Sequence, residues 1–272
     1  MRTIVHLSDL HFGRVDQALL DPLVAAVAAA RPDVVAVSGD LTQRARTAQF
    51  QQARAFLDRL PQPQVVVPGN HDVPLYDVVR RFAAPLRRYR RYITDDLAPV
   101  FSDDEVAVVG LNTARSLTFK GGRINVEQAG LVARHFAGLD DSILRVVVTH
   151  HPFNLSERDD EDDLVGRAAM AMRVFAGCGV DLLLSGHLHR AHAGDTASRY
   201  EIPGFAALVV QAGTATSTRG RGEPNAFNVI RTGTGRIEVD VQAWRPDRSS
   251  FAVLRTDVFE RVGGAWSRVQ PD

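Results

Sequence analysis

Val65-Val66-Val67-Pro68-Gly69-Asn70-His71-Asp72 is the stretch that decides the fold. The valine run reads as a short strand buried on both faces. Pro68 and Gly69 then stop the strand and turn the chain. Asn70, His71 and Asp72 leave that turn together, at a sheet end, where α/β folds open a crevice. An amide oxygen and an imidazole nitrogen can each bind a metal or support a ligand that does. Asn, Gly and Asp are also ordinary turn residues, so on its own the stretch reads first as a polar turn. The metal reading gains weight because the same event, a strand end followed by ligand-type residues, recurs along the chain.

Toward the N-terminus, Thr3 to Leu7 is a short apolar strand ending in Ser8-Asp9-Leu10-His11. In an extended segment i and i+2 point the same way, so Asp9 and His11 can reach one metal. The competing reading is a solvated Asp and an incidental His. His6, inside the strand, reads as a hydrogen-bonded structural histidine. Asp16 to Ala30 is helical, with Leu19, Leu20, Leu23, Val24 and Val27 on one face. Asp33 to Ser38 is a second apolar strand, ending in Gly39-Asp40. A strand–helix–strand unit with continuous apolar strands implies parallel pairing, which sets Asp40 beside Asp9 and His11. A helix from about Thr47 to Leu60 leads back to the opening strand.

Toward the C-terminus, Asp77 to Ile93 reads as one amphipathic helix. Phe82, Leu86, Tyr89 and Ile93 form its stripe, and Arg80, Arg81, Arg87, Arg88 and Arg91 its solvated side. Glu105 to Leu111 is a strand opening onto Asn112-Thr113-Ala114-Arg115. Asn125 to Leu139 is a helix with Asn125 as N-cap, and His135 on it is structural. Arg145 to Thr149 is a strand with His150-His151-Pro152-Phe153 at its tip. Asp159 to Asp163 lacks the spacing and glycine of a calcium loop and reads as solvated. A helix over Leu164–Phe175 precedes a strand, Val180 to Leu184, ending in Ser185-Gly186-His187-Leu188-His189.

Beyond Gly194 short alternating strands follow, near Ala206–Gln211, Asn225–Arg231, Arg236–Trp244 and Phe251–Val262. Gly233-Thr234-Gly235 and Gly263-Gly264 mark turns. This tail reads as an antiparallel second sheet, with the small polar stretch Gly213 to Asn228 returning to the cleft. With no linker and no repeat, the expectation is a single domain over 1–272, with motifs in 1–194 and residues 195–272 completing it.

Composition bounds the function. The 272 residues are 45% hydrophobic and 24% charged, and Lys+Arg 32 balances Asp+Glu 32. That neutrality leaves no electrostatic footprint for long nucleic acid or an anionic membrane. Cys178 is the single cysteine, which rules out an intramolecular disulfide and suits a reducing compartment. No signal-peptide h-region opens the chain and no apolar run nears the ~20 residues of a membrane span. A soluble cytoplasmic protein is expected; its oligomeric state stays open, a homodimer among the options.

Collected, the strand ends offer Asp9, His11, Asp40, Asn70, His150, His187 and His189. Carboxylates, imidazoles and one amide, with no thiolate, suit borderline first-row divalent ions. This set exceeds one tetrahedral site but fits two metals sharing a carboxylate, the arrangement that clamps a phosphoryl displacement.

In order and spacing these motifs resemble the calcineurin-like metallophosphoesterase superfamily. The matching pieces are D-x-H at Asp9–His11, G-D at Gly39–Asp40, G-N-H-D at Gly69–Asp72, the His150-His151-Pro152 motif and G-H-x-H at Gly186–His189. The tail, through Gly213–Ser217 and Arg221–Asn225, is similar to the bacterial class III cyclic-nucleotide phosphodiesterase branch. The resemblance implies an α/β fold of two stacked mixed β-sheets flanked by helices, in four layers α-β-β-α. It implies that Asp9, His11 and His189 hold a first metal, that Asn70, His150 and His187 hold a second, and that Asp40 bridges them. His150 rather than His151 is the ligand, because the family places it at the first histidine. His71 would face the leaving oxygen, with Asp72 as its orienter. Phe153 departs from the family's usual second proline. The implied metals are Mn or Fe, with Zn chemically allowed. The implied reaction is in-line attack on a small phosphodiester by hydroxide held between the ions. A 3′,5′-cyclic nucleotide is the first candidate, then 2′,3′-cyclic nucleotides or glycerophosphodiesters, then a nuclease substrate. A degenerate binding module is the non-enzymatic alternative. Arg14, Asn112 and Arg115 are candidates for contacting the substrate from the cleft loops.

Overall fold

The computed structural model describes all residues except 119, 157, 158, 219–221, 263, 264 and 270–272, and only the backbone of 262. The Gly263-Gly264 turn and Arg221 therefore lie outside the described residues. β1 (Arg2–Leu7), β2 (Val34–Ser38) and β3 (Gln64–Val67) run parallel. Between them α1 (Leu20–Ala29) and α2 (Thr47–Leu57) make the crossovers that parallel pairing demands. Then come α3 (Val78–Ala83), α4 (Arg87–Tyr92), β4 (Val100–Ser102) and β5 (Val106–Gly110). α5 (Val126–Phe136), β6 (Leu144–Val148), α6 (Ala168–Gly177) and β7 (Leu182–Ser185) resume the alternation. β8 (His192–Asp195), α7 (Ala197–Tyr200) and β9 (Leu208–Gln211) precede a meander of β10 (Ala226–Gly233), β11 (Arg236–Arg245), β12 (Ser250–Val262) and β13 (Ala265–Val269).

Among the described residues the strands form two mixed sheets, ordered β13-β12-β11-β10-β1-β2-β3 and β4-β5-β6-β7-β9-β8. The valine runs alternate between two cores. Ile4, Val34, Ala36 and Val67 meet Val108, Val146 and Leu184 between the sheets. Val5, Val35 and Val37 turn the other way, onto Leu23, Phe50 and Phe56 of the helices. The second sheet does the same with Val109, Val147 and Leu183 against Val132 and Phe175. The result is the four-layer arrangement, each buried valine contributing roughly 1.5–3 kcal/mol. No helix among the described residues is long and apolar enough to cross a membrane.

Three expectations need correction. The tail does not make a sheet of its own. β10 pairs antiparallel with β1, from Arg2 opposite Thr232 to His6 opposite Asn228, and β9 joins β7 in parallel. Alternation decides which residues of a strand face a core, not which sheet receives it. The Asp77–Ile93 helix is two helices, because Pro85 falls between α3 and α4 and cannot donate into a continuous one. The break rotates the faces: Phe82 is 57% exposed, while Arg81 is buried with its guanidinium on the carbonyls of Pro74, Ser116 and Thr118. Finally, α6 starts at Ala168, not Leu164, since Arg167 at φ 66° is not helical. Asn125 does cap α5, accepting from Gln128 N at 2.8 Å.

Candidate metal centre

Parallel strands end on the same edge, and the turns that follow β1 and β2 stay paired. Asp9 N donates to Gly39 O at 3.1 Å, His11 N to Asp40 O at 2.9 Å and Phe12 N to Leu41 O at 2.9 Å. Asp9 and His11 are not extended, as alternation along a strand would have them. Their φ values are 54° and 50°, with Asp40 at 52°, His187 at 74° and His189 at 58°. Five candidate ligands thus occupy the left-handed region, which costs a non-glycine residue of order 1–3 kcal/mol. Close approach requires glycine at two neighbouring positions. A Cβ on Gly186 would lie 1.8 Å from Ser8 Oγ and 2.6 Å from Asp9 Oδ2; one on Gly69 would lie 2.2 Å from Asp40 Oδ1.

One group of ligand atoms is Asp9, His11, Asp40 and His189, all buried and within 4.8 Å of one another. Asp9 Oδ1 lies 3.2 Å from His189 Nε2 and 3.5 Å from His11 Nε2. His11 Nε2 is 3.6 Å from Asp40 Oδ2 and 3.2 Å from His189 Nε2. Two neutral imidazole nitrogens that close need a proton or a cation between them. Asp9 Oδ1 is buried and meets no well-aligned donor among the described residues. Acceptors facing each other without donors are what a cation site requires. Burial would raise the Asp9 carboxyl, but the imidazoles of His189 and His11 outweigh it and hold the group well below the usual range. Asp40 is lowered likewise, by His150, His71 and His11 against burial.

The other group centres on His150. Its Nε2 lies 3.0 Å from Asn70 Oδ1 and 3.4 Å from Asp40 Oδ1, while Nδ1 faces Ser38 O at 2.8 Å. His150, His151 and His187 also cluster by ring nitrogens. Both nitrogens of His151 are engaged, however, Nδ1 with Thr113 Oγ1 at 2.8 Å and Nε2 with Lys120 O at 2.7 Å. Burial, then His187 and His150, lower its pKa, so it stays neutral. His150 is therefore the better-placed ligand. His187 Nε2 lies 3.2 Å from Asp163 Oδ1, and its backbone N–H reaches Asp9 Oδ2 at 3.0 Å.

His71 stands beside the shared carboxylate, Nε2 4.0 Å from Asp40 Oδ2 and backbone N 2.8 Å from Oδ1. Asp72 does not orient it. Its carboxylate accepts from Leu41 N, Thr42 N, Thr42 Oγ1 and Gly69 N, pinning two ligand turns together. Burial and then the Asp40 charge push Asp72 up to about 6. His71 Nδ1 instead faces Gln43, the carbonyl at 3.0 Å and the side-chain Nε2 at 3.5 Å.

Support comes from residues that carry no ligand motif. Thr214 Oγ1 donates to Asp9 O and Thr216 Oγ1 to Leu10 O, both at 2.7 Å, and Ala215 N reaches Ser8 O. The small polar stretch thus returns to the centre as a buried brace behind the Asp9 turn. Its composition was the only signal. Ser8 Oγ also donates to Asp9 Oδ2 at 2.7 Å. The acidic run is less solvated than expected, since Asp159 pairs with Arg190 and Asp163 faces His187. Of the substrate candidates, Arg14 is exposed beside the first group. Arg115 is spent on its own loop and on Gln128 Oε1 at 2.6 Å, so its reach is structural. Asn112 lines a cavity of about 950 Å³ whose wall also holds Val73, the residue after Asp72.

A family model described as calcineurin-like phosphoesterase matches residues 2–191. Glycerophosphodiester phosphodiesterase GpdQ of Enterobacter lignolyticus is 48% identical over 42 residues, 15% of either chain. A purple acid phosphatase from yellow lupin (Lupinus luteus) seeds has a TM-score of 0.67 at 11% identity, over 94% of this chain and 53% of that one. GAP50, the anchor in the inner membrane complex of Plasmodium, reaches 0.57 at 12% identity, over 94% and 87%. The chain therefore spans about half of the lupin protein and aligns with a small part of the curated relative. At such identities the structural likeness speaks for the fold alone.

Proposed function

The chain belongs to the calcineurin-like phosphoesterase family, and from that premise we propose that it hydrolyses a small phosphodiester with two bound metal ions. The observation that most supports this is the Asp40 carboxylate, one oxygen toward His11 and the other toward His150. Asp9, His11 and His189 would hold one ion, Asn70, His150 and His187 the other, and Asp40 both. Oxygen and imidazole donors without thiolate suit Mn or Fe and accommodate Zn. When bound, the ions supply Lewis acidity toward phosphate oxygens and acidify water.

The chain's own residues would do the rest. Asp72 and Thr214 hold the ligand turns in register. His71 Nδ1 faces the Gln43 carbonyl at 3.0 Å, which leaves Nε2 directed to the leaving group; as the imidazolium the ring would pass its Nε2 proton to the departing alkoxide and keep the one on Nδ1. Its Nε2 lies 4.0 Å from Asp40 Oδ2. The centre draws on residues before 194 and on the 213–217 brace, which supports reading the chain as one functional domain. A single cysteine suits the reducing cytoplasm.

A 3′,5′-cyclic nucleotide is the first substrate reading, supported by the loops over the cleft, which are too short to form a separate cap. A glycerophosphodiester is the second, favoured by the 42-residue match to GpdQ. Reconstitution with Mn²⁺, metal analysis and turnover of bis(p-nitrophenyl) phosphate test the core claim. Two equivalents with turnover uphold it; fewer than two with none overturn it. Comparing kcat/KM on cyclic AMP, 2′,3′-cyclic AMP and glycerophosphocholine then decides between the substrates.

A further inference from the structure

The 950 Å³ cavity opens between the two short helices α3 and α4 and the 112–116 loop, with Val73, the residue after Asp72, in its wall. Its volume is at the upper end of the ~300–1,000 Å³ that small-molecule sites occupy. Val73, Leu86, Leu97 and Ala114 give it an apolar floor. Its rim is cationic: Arg87, Arg90, Arg91 and Arg115 face a single carboxylate, Asp95. Asp95 is engaged with Arg90 at 2.9 Å. Among the described residues Arg87 and Arg91 make no ion pair, and Arg91 lies over the Tyr92 ring at 5.5 Å. A smaller cavity of about 200 Å³ shares Arg87 and Arg91 and adds Arg80 and Arg88. In a chain of formal net charge +0 this is a local excess of positive charge, and a concave wall concentrates its field.

Position ties the cavity to the chemistry. Val73 directly follows Asn70-His71-Asp72, and Asn112 directly precedes Thr113, which holds His151. The two loops that line the cavity therefore run, within one residue, into Asp72 and into Thr113, the partner of His151. An apolar floor with an arginine rim suits an organic group bearing an anion, and guanidinium is the side chain best matched to phosphate.

We propose that this cavity is a substrate subsite for a second phosphate group, held by Arg87 and Arg91 away from the phosphorus that reacts. The substrate class is then a phosphodiester that carries another phosphate, terminally phosphorylated dinucleotides included. This rests on the phosphodiesterase reading and narrows it. The apolar part of the substrate lies on the Val73–Leu86 floor, and Asn112 offers its amide at the rim.

Two probes with the same leaving group test it: thymidine 5′-(p-nitrophenyl phosphate) and its 3′-phosphorylated counterpart. In the metal-loaded protein kcat/KM should favour the 3′-phosphorylated probe by at least about tenfold, mainly through KM, the scale of one charge-assisted contact. In Arg87→Glu/Arg91→Glu, whose exposed positions leave the fold intact, that ratio should fall to about one. A wild-type ratio near one, or a ratio kept in the variant, overturns the subsite. Calorimetry supplies a readout free of turnover. Thymidine 3′,5′-bisphosphate should bind the wild type at least about tenfold tighter than thymidine 5′-monophosphate, and the variant should lose that margin; an unchanged margin also overturns it. If no diester is hydrolysed at all, the phosphodiesterase reading fails, while calorimetry still judges the subsite.

Discussion

Around Asp9 and His11 every donor is buried, two carboxylates serve the group, and a threonine brace closes the back of the turn. Around His150 and Asn70 the donors are imidazoles, a half-buried amide and one shared carboxylate, with Asp163 and His71 crowding the edge. The first half is the more deeply buried. The second is the less enclosed half, with Asn70 and His71 half-buried. On the proposed ligand sets, the contrast predicts unequal metal affinities, tighter at Asp9 and more exchangeable at Asn70.

Asp40→Ala should have the largest effect, because it removes the one group common to both halves. Both metal equivalents should be lost and activity should drop by more than about a hundredfold, beyond the 10–100-fold typical of outer partners. Retention of one tightly held equivalent would show that the Asp9 half stands alone. His71→Ala should cut turnover of an alkyl diester by roughly a hundredfold or more with metal content unchanged. The loss should shrink for p-nitrophenol, which departs without a proton; an equal loss on both substrates would remove His71 from leaving-group assistance. Asn70→Ala should weaken one equivalent by about 10–100-fold and spare the other. Titration with metal and competing chelator reads this directly, and equal weakening of both would erase the contrast between the halves.

The smallest effect concerns the layer beneath. His6 is buried, with Nε2 2.9 Å from Ser38 Oγ, and Ser38 O in turn meets His150 Nδ1. Burial lowers His6 from 6.5 to about 3, against a smaller opposing pull from Asp9. A histidine depressed in the folded state stays neutral while the unfolded chain takes up a proton. Its contribution is therefore complete above pH 6.5 and is lost as pH falls toward 3. The slope is at most about 1.4 kcal/mol per pH unit. Urea midpoints at pH 7 and pH 5 should lie closer together in His6→Gln than in the wild type. An unaltered gap would assign the acid sensitivity to the ligand clusters.

Strand tips were legible because apolar runs and turn residues punctuate the chain, and all of Asp9, His11, Asp40, Asn70, His150, His187 and His189 sit at such tips. The way they converge was not legible. Alternation along a strand brings Asp9 and His11 together for the wrong reason, since left-handed turns do the work. Such turns are set by neighbours from distant segments, such as Gly39 and Thr214. Arg81 and Asp72 were misread for a related cause. Their side chains satisfy backbone carbonyls and N–H groups of loops remote in sequence, and no local pattern records those partners. The destination of the tail strands escaped because a strand's period carries no address.

The pairing of β1 with β10 has a consequence for the order in which the molecule can assemble. In chain order β1 gains β2 on one side soon after, but its other neighbour, β10, follows more than two hundred residues later. Thr214 and Thr216, which secure the Asp9 turn, arrive just before that neighbour. Contacts of such long sequence separation form late and slowly. During synthesis the chain therefore exposes an unpaired β1 edge, the kind of surface that chaperones shield. On the proposed ligand set, a metal ion meeting the nascent chain would find Asp9, His11 and Asp40 already made and His189 still to come. The centre is thus completed by closure of the sheet rather than by any single motif.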